Sequence, residues 1–479
     1  MADIILFLPE IVCLVMALVL FFAPVCAWRY STAWGIAIVA GIAAVSACLW
    51  TWPMEGEPFF AGIYRIDFFS QLVKTALALG YLLVVAISRD PRTLRPATWH
   101  EFPLFLLLST VGMMMMVSAT ELLTLYISME LSAYPLYIVV ALHRNRSIGA
   151  ESSTKYMIQG MVASAISLYG MSFLFGLLGS TYFAALDTQL GALALQPMFW
   201  LAVLLVLSGF LFKLAVFPFH FWAADTYQAA PHEAVTFIAT VSKVAAVAIL
   251  CRIAALVLPA SESLVHARPV LMWLAIVAMT LGNFAALRQR DLKRLLGYSA
   301  VAHGGYILVG IQTLTELGLT AALFYGLGYA AMSLVCFLVV CEVGRDQDTV
   351  PIESVSGLYQ RSPLLAAALL VGLLGLIGLP PTVGFIGKWF LFSAALQQGQ
   401  FGLVLFAAVN AAIALYYYLL VIRQAYMVEP VSAQHAEPIR LRLNAVLAAA
   451  VATGLVIAMG TFPGFFWNCA SRAAAALVG

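Results

Sequence analysis

Runs of about 20 apolar residues recur along the whole chain, and this feature constrains the fold more than any other. A run of that length, wound as a helix, crosses the roughly 30 Å hydrocarbon layer of a membrane. The composition agrees, because 63% of the 479 residues are hydrophobic and only 10% are charged. Alternating segments of about 10 residues, typical of a membrane barrel, do not occur in the sequence. The sequence therefore predicts an all-α polytopic membrane protein.

The apolar runs predict about fourteen transmembrane helices. The expected spans are 3–25, 33–52, 66–88, 101–118, 121–142, 149–178, 197–228 (broken), 232–257, 269–287, 294–312, 317–342, 362–398 (broken), 401–427 and 440–463. The connections between them are short, so we expect residues 1–479 to form a single transmembrane domain. Glu10 interrupts the first apolar run and no small-residue cleavage site follows it, which favours a retained first span.

Basic loop residues are distributed unevenly between the two sides of this predicted bundle. Only Arg65, Arg268 and Arg472 fall on the side where the first span begins. The loops of the other side carry Arg29, Arg89, Arg92, Arg95, Arg144, Arg146, Arg288, Arg290, Lys293, Arg294, Arg345, Arg361, Arg423, Arg440 and Arg442. The positive-inside rule predicts that this second side faces the cytoplasm and that both termini lie outside.

Among the charged residues within the predicted spans, where lipid would normally exclude them, five are candidates for a function. They are Glu130, Lys155, Lys213, Lys243 and Lys388. A charged lysine at mid-bilayer costs at least about 2.5–3.5 kcal/mol. Such a lysine persists if it faces a wet interior, pairs with an acid, or is neutral for part of the time. A lysine balanced between burial and a nearby carboxylate can take up and release a proton, as a proton relay requires.

Glu130 and Lys213 are candidates for a switchable ion pair. At about 4 Å and an effective dielectric near 20, their attraction would be roughly 4 kcal/mol. Opening or closing such a pair would be enough to load or discharge a lysine. By contrast, Lys74 and Arg252 lie near predicted span ends, and we expect them to extend toward the interface.

Two of the predicted spans contain proline breaks beside a lysine. Pro218 follows Lys213, and Pro380 and Pro381 precede Lys388. Proline removes a backbone donor, and freed carbonyls at membrane depth are tolerated where they line protein or water. For each proline alone, an ordinary kink is the alternative. Broken helices in corresponding halves are typical of transporters with inverted repeats, here two five-helix units over about 101–257 and 269–427.

Histidines and cysteines are further candidates for functional groups. His303, and less strongly His220 and His232, could bridge lysines through water, whereas packing is the alternative for each. We expect the remaining histidines in solvated loops: His100, His143, His266 and His435. The seven cysteines form no CxxC motif, and no histidine pair has metal-ligand spacing, so neither a metal nor an iron–sulfur cluster is expected.

Three stretches carry a resemblance to a known family: FKLAVFPFHFWAADTYQAAP (212–231), QRDLKRLLGYSAVAHGGYILVG (289–310) and GLPPTVGFIGKWFLF (378–392). They resemble the antiporter-like N-type subunits of proton-pumping NADH:quinone oxidoreductase, respiratory complex I. The wider group includes the sister subunits L and M and the Mrp cation/proton antiporters. The resemblance spans all fourteen predicted helices.

The resemblance implies roles for individual residues. Glu130 matches the family's fifth-helix glutamate, and Lys213 the seventh-helix lysine that pairs with it. Lys155 matches a sixth-helix lysine, Lys243 the central eighth-helix lysine, and Lys388 the twelfth-helix lysine near the outward route. The implied function is proton translocation along this series, driven by quinone reduction elsewhere in the complex.

The resemblance also implies the surroundings of the chain. It would lie in a bacterial inner membrane, with both termini on the periplasmic side. Its partners would be M- and K-type subunits, the lateral helix of subunit L and the lipid bilayer, and no nucleic acid. No cofactor is expected in this chain, whereas FMN, iron–sulfur clusters and quinone belong to other subunits.

Two alternatives remain open at this point. The first is an Mrp-type cation/proton antiporter subunit, and the second is a structural spacer, which would have no use for mid-membrane lysines. The chain also departs from the family's usual pattern at AADTYQAAP (223–231) and at AHGGY (302–306), where the family has a methionine or alanine in place of Gly304.

Overall fold

The computed structural model describes residues 5–54, 56, 59–258, 267–430 and 437–478, and most of these residues are helical. Single helical turns within loops are left unnumbered. The helices are Leu8–Val25 (α1), Tyr30–Thr51 (α2), Phe68–Ile87 (α3), Glu101–Ser118 (α4), Leu122–Ala141 (α5), Arg146–Leu178 (α6), Phe183–Leu193 (α7), Pro197–Leu214 (α8), Phe221–Ala229 (α9), His232–Ala239 (α10), Val241–Val257 (α11), Ala267–Ala286 (α12), Leu292–Ile311 (α13), Glu316–Val343 (α14), Pro363–Ile377 (α15), Val383–Gln397 (α16), Phe401–Met427 (α17), Leu443–Thr461 (α18) and Pro463–Val478 (α19).

The predicted number of membrane crossings is confirmed. Within the described residues, 12 helices are long and apolar enough to cross a membrane, with α10 and α11 counted as one. The 20-residue helix α13 and the broken pair α15–α16 supply the remaining crossings of the fourteen. Two helices were not predicted. Helix α7 lies in the connection between the sixth and seventh spans, and α19 follows the last span.

Loop contacts separate the bundle into two ends. At one end, Arg144 Nε lies 2.7 Å from Asp348 Oδ1, which joins the loop after α5 to the loop after α14. Arg442 lies 2.9 Å from Asp90 at the same end, and we call this end the basic face. At the other end, the Thr120 hydroxyl donates to the Gly62 carbonyl over 2.7 Å. We call it the opposite face; the terminal residues 1–4 and 479 lie outside the described residues.

The centre of the bundle is the crossing formed by α10 and α11. Every residue in its most apolar 18-residue stretch is buried, whereas only a third of the corresponding stretch in α6 or α17 is. Helix α14 packs against α11 and is nearly as buried. Charged groups on α11 therefore cannot reach lipid, and they must find partners inside the protein.

Close packing follows a similar order in the two halves. Helix α4 packs on α5 and α6 on α8, while α12 packs on α13 and α14 on α15 and α16. This order supports the predicted pair of five-helix repeats, which stays a prediction. An odd number of crossings per repeat would turn the second repeat upside down relative to the first.

Three crossings are interrupted, two of them at the predicted prolines. Helix α8 ends at Leu214, where Ala215 is left-handed, and α15 ends at Ile377, where Gly378 is left-handed. The third interruption, at Thr240 between α10 and α11, was not predicted. No proline or glycine marks it in the sequence.

Candidate functional site

The first broken helix leaves carbonyl groups at the end of α8 without helical partners, as every helix end does. The amides of Ala215 and Val216 turn back to Phe212 and Leu211, and the Trp222 indole donates to the Phe212 carbonyl over 2.9 Å. The Leu214 carbonyl is not among the acceptors of these bonds. It lies next to Lys213, so a freed acceptor and a buried lysine meet at one point.

Lys213 lies at this helix end and is 8% exposed. Its ammonium lies 2.5 Å from the hydroxyl of Ser132 on α5. Glu130 lies on the same helix as Ser132, but its side chain is half-buried, and no ion pair within 4 Å joins it to Lys213 among the described residues. The expected Glu130–Lys213 ion pair is therefore not formed in this structure, and we call this the open arrangement.

Lys243 donates to the acceptor that the break leaves free. It lies in the first turn of α11 and is 1% exposed. Its Nζ atom lies 2.5 Å from the Leu214 carbonyl oxygen. The carbonyl end of a helix carries partial negative charge, so this position favours an ammonium group. Lys243 thereby joins the central crossing to the residue that follows Lys213.

The second broken helix binds a lysine in the same manner. Lys388 on α16 is 5% exposed, and its Nζ atom lies 3.1 Å from the Leu376 carbonyl and 2.8 Å from the Ile377 carbonyl. Both acceptors belong to the last turn of α15. Gly378 permits this approach: it has φ +90°, and a Cβ there would lie 3.0 Å from Lys388 Cδ.

His303 lies between the two breaks, on α13. Its Nδ1 atom is 2.7 Å from the Tyr325 hydroxyl, and its Nε2 atom is 3.2 Å from the Tyr418 hydroxyl. Two hydroxyl partners, each able to donate or accept, allow the imidazole either tautomer. Three residues further along α13, the Tyr306 ring faces Lys388 Nζ at 4.7 Å.

Gly304 brings α13 against the first break. A Cβ at this position would lie 2.8 Å from Val216 Cγ2 and 3.3 Å from the Leu214 carbonyl oxygen. The unusual first glycine of AHGGY, Gly304, therefore lets the His303 helix approach the carbonyl that Lys243 binds. This departure from the family pattern falls inside the candidate site.

Three other predicted residues are not joined to this group by the contacts of the structure. Lys155 is half exposed on α6 and pairs with Glu151 at 2.6 Å. The His220 ring contacts the Phe221 ring in a tilted arrangement beside the first break. His232 Nε2 lies 2.9 Å from the Gly344 carbonyl, close to the basic face.

Sequence reasoning missed several buried charged groups at the basic face. Lys293 is fully buried, and its Nζ atom donates to the Ala230 carbonyl over 2.9 Å and to the Asp348 carbonyl over 3.4 Å. His143, expected in a solvated loop, is buried with Nε2 3.8 Å from Asp348 Oδ1. Burial, and then the nearby Lys293, lower the pKa of His143. His266 and His435 lie outside the described residues.

Lys74 and Arg252 differ from expectation as well, because neither extends toward the interface. Lys74 contacts Glu10 at 2.6 Å with both side chains fully buried, and Arg252 contacts Asp67 at 2.9 Å. The partners lie 64 and 185 residues apart in sequence, and nothing in the sequence pattern indicates such pairs.

The arrangement has a definite chemical character. The three lysines of the breaks donate to neutral oxygens, and no carboxylate lies within 4 Å of them in the described residues. Such a lysine has no fixed counter-ion to hold its proton, so it is suited to exchange one. Across the described ranges, no group of three or more His, Cys, Asp or Glu residues could hold a metal ion.

A helical bundle with two proline-broken crossings and a buried row of lysines defines an antiporter-like membrane protein. Residues 119–414 match the family described as NADH:quinone oxidoreductase/Mrp antiporter, TM. The chain is 43% identical to NADH-quinone oxidoreductase subunit N 2 of Syntrophobacter fumaroxidans, over 92% of each chain. It therefore belongs to the NADH-quinone oxidoreductase subunit N family.

Solved structures agree with this assignment. A chain of respiratory complex I from Thermus thermophilus is 31% identical with a TM-score of 0.83, over 97% of this chain and 99% of that one. A chain of the Mrp complex from Dietzia sp. DQ12-45-1b has a TM-score of 0.86 over 98% of each chain, at 21% identity. The Mrp likeness is thus a likeness of fold.

Proposed function

We propose that this chain is a proton-translocating membrane-arm subunit of respiratory complex I. Quinone reduction in other subunits would drive proton transfer along Glu130, Lys213, Lys243, His303 and Lys388. The observation that carries the proposal is the placement of two lysine ammonium groups on the carbonyl ends of broken helices, with His303 between them. The subunit N relatives support the same reading.

The first step of the proposed relay is the switch between Glu130 and Lys213. In the open arrangement Lys213 donates to Ser132, and Leu214, the next residue, accepts from Lys243. Closing the Glu130–Lys213 pair moves the Lys213 charge away from Lys243. Less repulsion then favours a proton on Lys243, and reopening the pair favours its release.

The later steps pass from Lys243 toward Lys388. Tyr325 and Tyr418 hold His303 by hydroxyl groups that can relay a proton in either direction. The ring of Tyr306 stabilises the Lys388 ammonium from one side by a cation–π contact. A proton that reaches Lys388 leaves toward the outer side. No step of the proposed relay is assigned to Lys155, which is half exposed on α6, or to His220 and His232, whose contacts do not join them to the lysine row.

The proposal includes the setting of the chain. The basic face lies in the cytoplasm of a bacterial cell, and both termini lie on the periplasmic side of the inner membrane. M- and K-type subunits flank the chain, and the lateral helix of subunit L runs along it. FMN, iron–sulfur clusters and quinone belong to other subunits, so the chain is part of a translocase without redox chemistry of its own.

Alanine variants of the switch test the relay. Membrane vesicles that contain the assembled complex with Lys213→Ala or Glu130→Ala should reduce quinone but pump far fewer protons per turnover. Ser128→Ala is the control, because Ser128 lies on the same helix and its hydroxyl bonds only to its own helix at Thr124. Unchanged pumping in both switch variants would show that the relay assignment is wrong.

Purification of the native assembly separates the proposal from the Mrp alternative. Co-purification of iron–sulfur subunits and quinone-dependent activity supports complex I. An assembly without redox subunits, which exchanges sodium for protons in vesicles, would identify an antiporter instead.

A further inference from the structure

A second group of buried charges lies near the opposite face, away from the lysine row. Lys74 Nζ on α3 contacts Glu10 Oε1 on α1 at 2.6 Å, and both side chains are fully buried. The Tyr64 hydroxyl donates to the same Glu10 oxygen over 2.5 Å, and its ring lies 5.1 Å from Lys74 Nζ. Glu10, Tyr64 and Lys74, with the neighbouring Gln71, are called the α1–α3 cluster below.

The α1–α3 cluster holds more polar atoms than its protein partners satisfy. Glu10 Oε2 is buried with no hydrogen-bond partner, as are both the amide nitrogen and the amide oxygen of Gln71. The Lys74 ammonium has three N–H groups, with Glu10 as its single close contact. Buried polar atoms are almost always bonded to protein or to ordered water. Gln71 lies three residues before Lys74, on the same face of α3, so these unpartnered atoms fit a site that binds water.

A purely structural role explains this cluster poorly. A buried ion pair costs about as much in desolvation as its attraction returns, and apolar replacements are often equally stable. An unpaired glutamine beside the pair adds a further desolvation penalty.

Helix α3, which carries Lys74, is joined at its start to the helix of the central lysine. Asp67, which caps the start of α3 by accepting from the Ser70 amide, also binds Arg252 at 2.9 Å. Arg252 lies nine residues after Lys243 on α11. This spacing is about 13 Å along a helix, so the cluster and Lys243 are separate sites on connected helices.

We propose that the α1–α3 cluster is a hydrated proton-binding site that exchanges protons with the opposite face. Uptake of one proton converts the Glu10 carboxylate to a carboxylic acid and leaves Lys74 as an ammonium without a counter-ion. Release of the proton restores the ion pair. Tyr64 keeps its hydrogen bond to Glu10 in both states, and water bound by Gln71 provides the path of the proton. This site stands apart from the proposed relay and does not depend on it.

The charged and titratable surroundings of Glu10 come from several helices. Cys13 on α1 and Cys48 on α2 lie within electrostatic range of the carboxylate. Arg252 approaches from α11, Asp67 precedes α3, and the Arg472 guanidinium of α19 stacks over Phe68 at 4.2 Å. Arg252 and Asp67 neutralise each other, so Lys74 is the charge that governs the carboxyl group.

Infrared difference spectroscopy of the assembled complex in membranes tests the site. A change of pH should produce a carboxyl band that shifts in D₂O and is lost in Glu10→Gln. In Lys74→Met the band should appear at higher pH, because the carboxylate has lost its cation. Lys74→Arg should keep the band near its original pH, because arginine supplies a permanent charge. If the complex with Glu10→Gln does not assemble, the two Lys74 variants provide the test.

Two results would overturn the proposal. One is the absence of any carboxyl band that responds to Glu10→Gln or Lys74→Met, which would show a permanent ion pair. The other is a Glu10 band that persists unchanged when the pH is altered on the opposite face alone. Lys243→Met separates this site from the relay: pumping should fall while the Glu10 band remains. Normal pumping in Lys243→Met would disprove the relay and leave the cluster untouched.

Discussion

In both broken helices a lysine binds the free carbonyl groups at the break, but the lysine comes from a different part of the chain in each. Each leaves carbonyl groups at the end of its first half, and each binds a lysine there. At the first break, the ammonium comes from the following crossing, since Lys243 on α11 binds Leu214 at the end of α8. At the second, Lys388 on α16 folds back on α15, the other half of its own helix.

The difference lies in what each break connects. The first break joins two crossings. Lys213 precedes Leu214 at the end of α8, and Lys243 of α11 binds the Leu214 carbonyl. The second is self-contained and gives Lys388 two carbonyl acceptors. The left-handed residue also differs, being Ala215 with φ 59° in the first and Gly378 with φ 90° in the second. We infer that the first break is suited to communication between lysines, and the second to holding one lysine in place.

Removal of the capping ammonium should give the largest effect. We expect Lys243→Met and Lys388→Met each to lower proton pumping by about 10²-fold or more, the contribution typical of a positioned proton-transfer group. Pumping per quinone reduced in vesicles measures this. If pumping were lost in Lys243→Met but normal in Lys388→Met, the two lysines would not have equivalent roles in proton transfer.

Arginine at the same positions should separate charge from proton exchange. Lys243→Arg and Lys388→Arg retain donors for the carbonyl groups, but arginine does not release its proton in proteins. We expect thermal unfolding near that of the parent and pumping reduced by about tenfold or more. A variant that unfolds at a clearly lower temperature would show that arginine does not replace the hydrogen bonds to the carbonyl groups. A variant that pumps normally would show that this lysine does not exchange protons.

A smaller effect is expected from Gly378→Ala at the second break. Its left-handed backbone alone costs alanine about 1–2 kcal/mol. The contact of the new Cβ with Lys388 adds roughly 1–3 kcal/mol of crowding. Gly399→Ala is the matched control, because Gly399 has φ +70° with nothing within 4 Å. Equal losses of stability in denaturation of the two variants would show that Lys388 does not press on Gly378.

Lys155→Ala should have the smallest effect of the series. The side chain is half exposed, pairs only with its neighbour Glu151, and touches neither break. We expect no measurable change in thermal unfolding and little change in pumping. A large loss of pumping would show that a neighbouring subunit incorporates this face into the proton path, and it would extend the comparison beyond the two breaks.

The sequence predicts much of this arrangement because membrane helices obey local rules. Apolar length predicts the fourteen crossings, and proline beside a mid-span lysine predicts both breaks. The acceptors of the lysines are not predictable, since Leu214 and Lys243 are 29 residues apart and meet only after folding. For the same reason, the pairs Glu10–Lys74 and Asp67–Arg252 cannot be predicted from the sequence.

Other misses have different physical causes. The interruption at Thr240 carries no proline or glycine, so no backbone rule points to it. Lys293 and His143 were assigned to loops by their polarity, yet both fold inward at the basic face. The face of α6 that carries Lys155 cannot be oriented by hydrophobicity alone, because lipid and protein interiors are equally apolar.

The contacts of the basic face also limit how the protein can move. Arg144 binds Asp348, and His232 and Lys293 bind carbonyl groups after α14 and after α9, so loops of both halves are held together. A transporter that works by rocking one half against the other would have to break these contacts in each cycle. We therefore expect this chain to act as a stator, a fixed frame in which protons and side chains move while the helices stay in place.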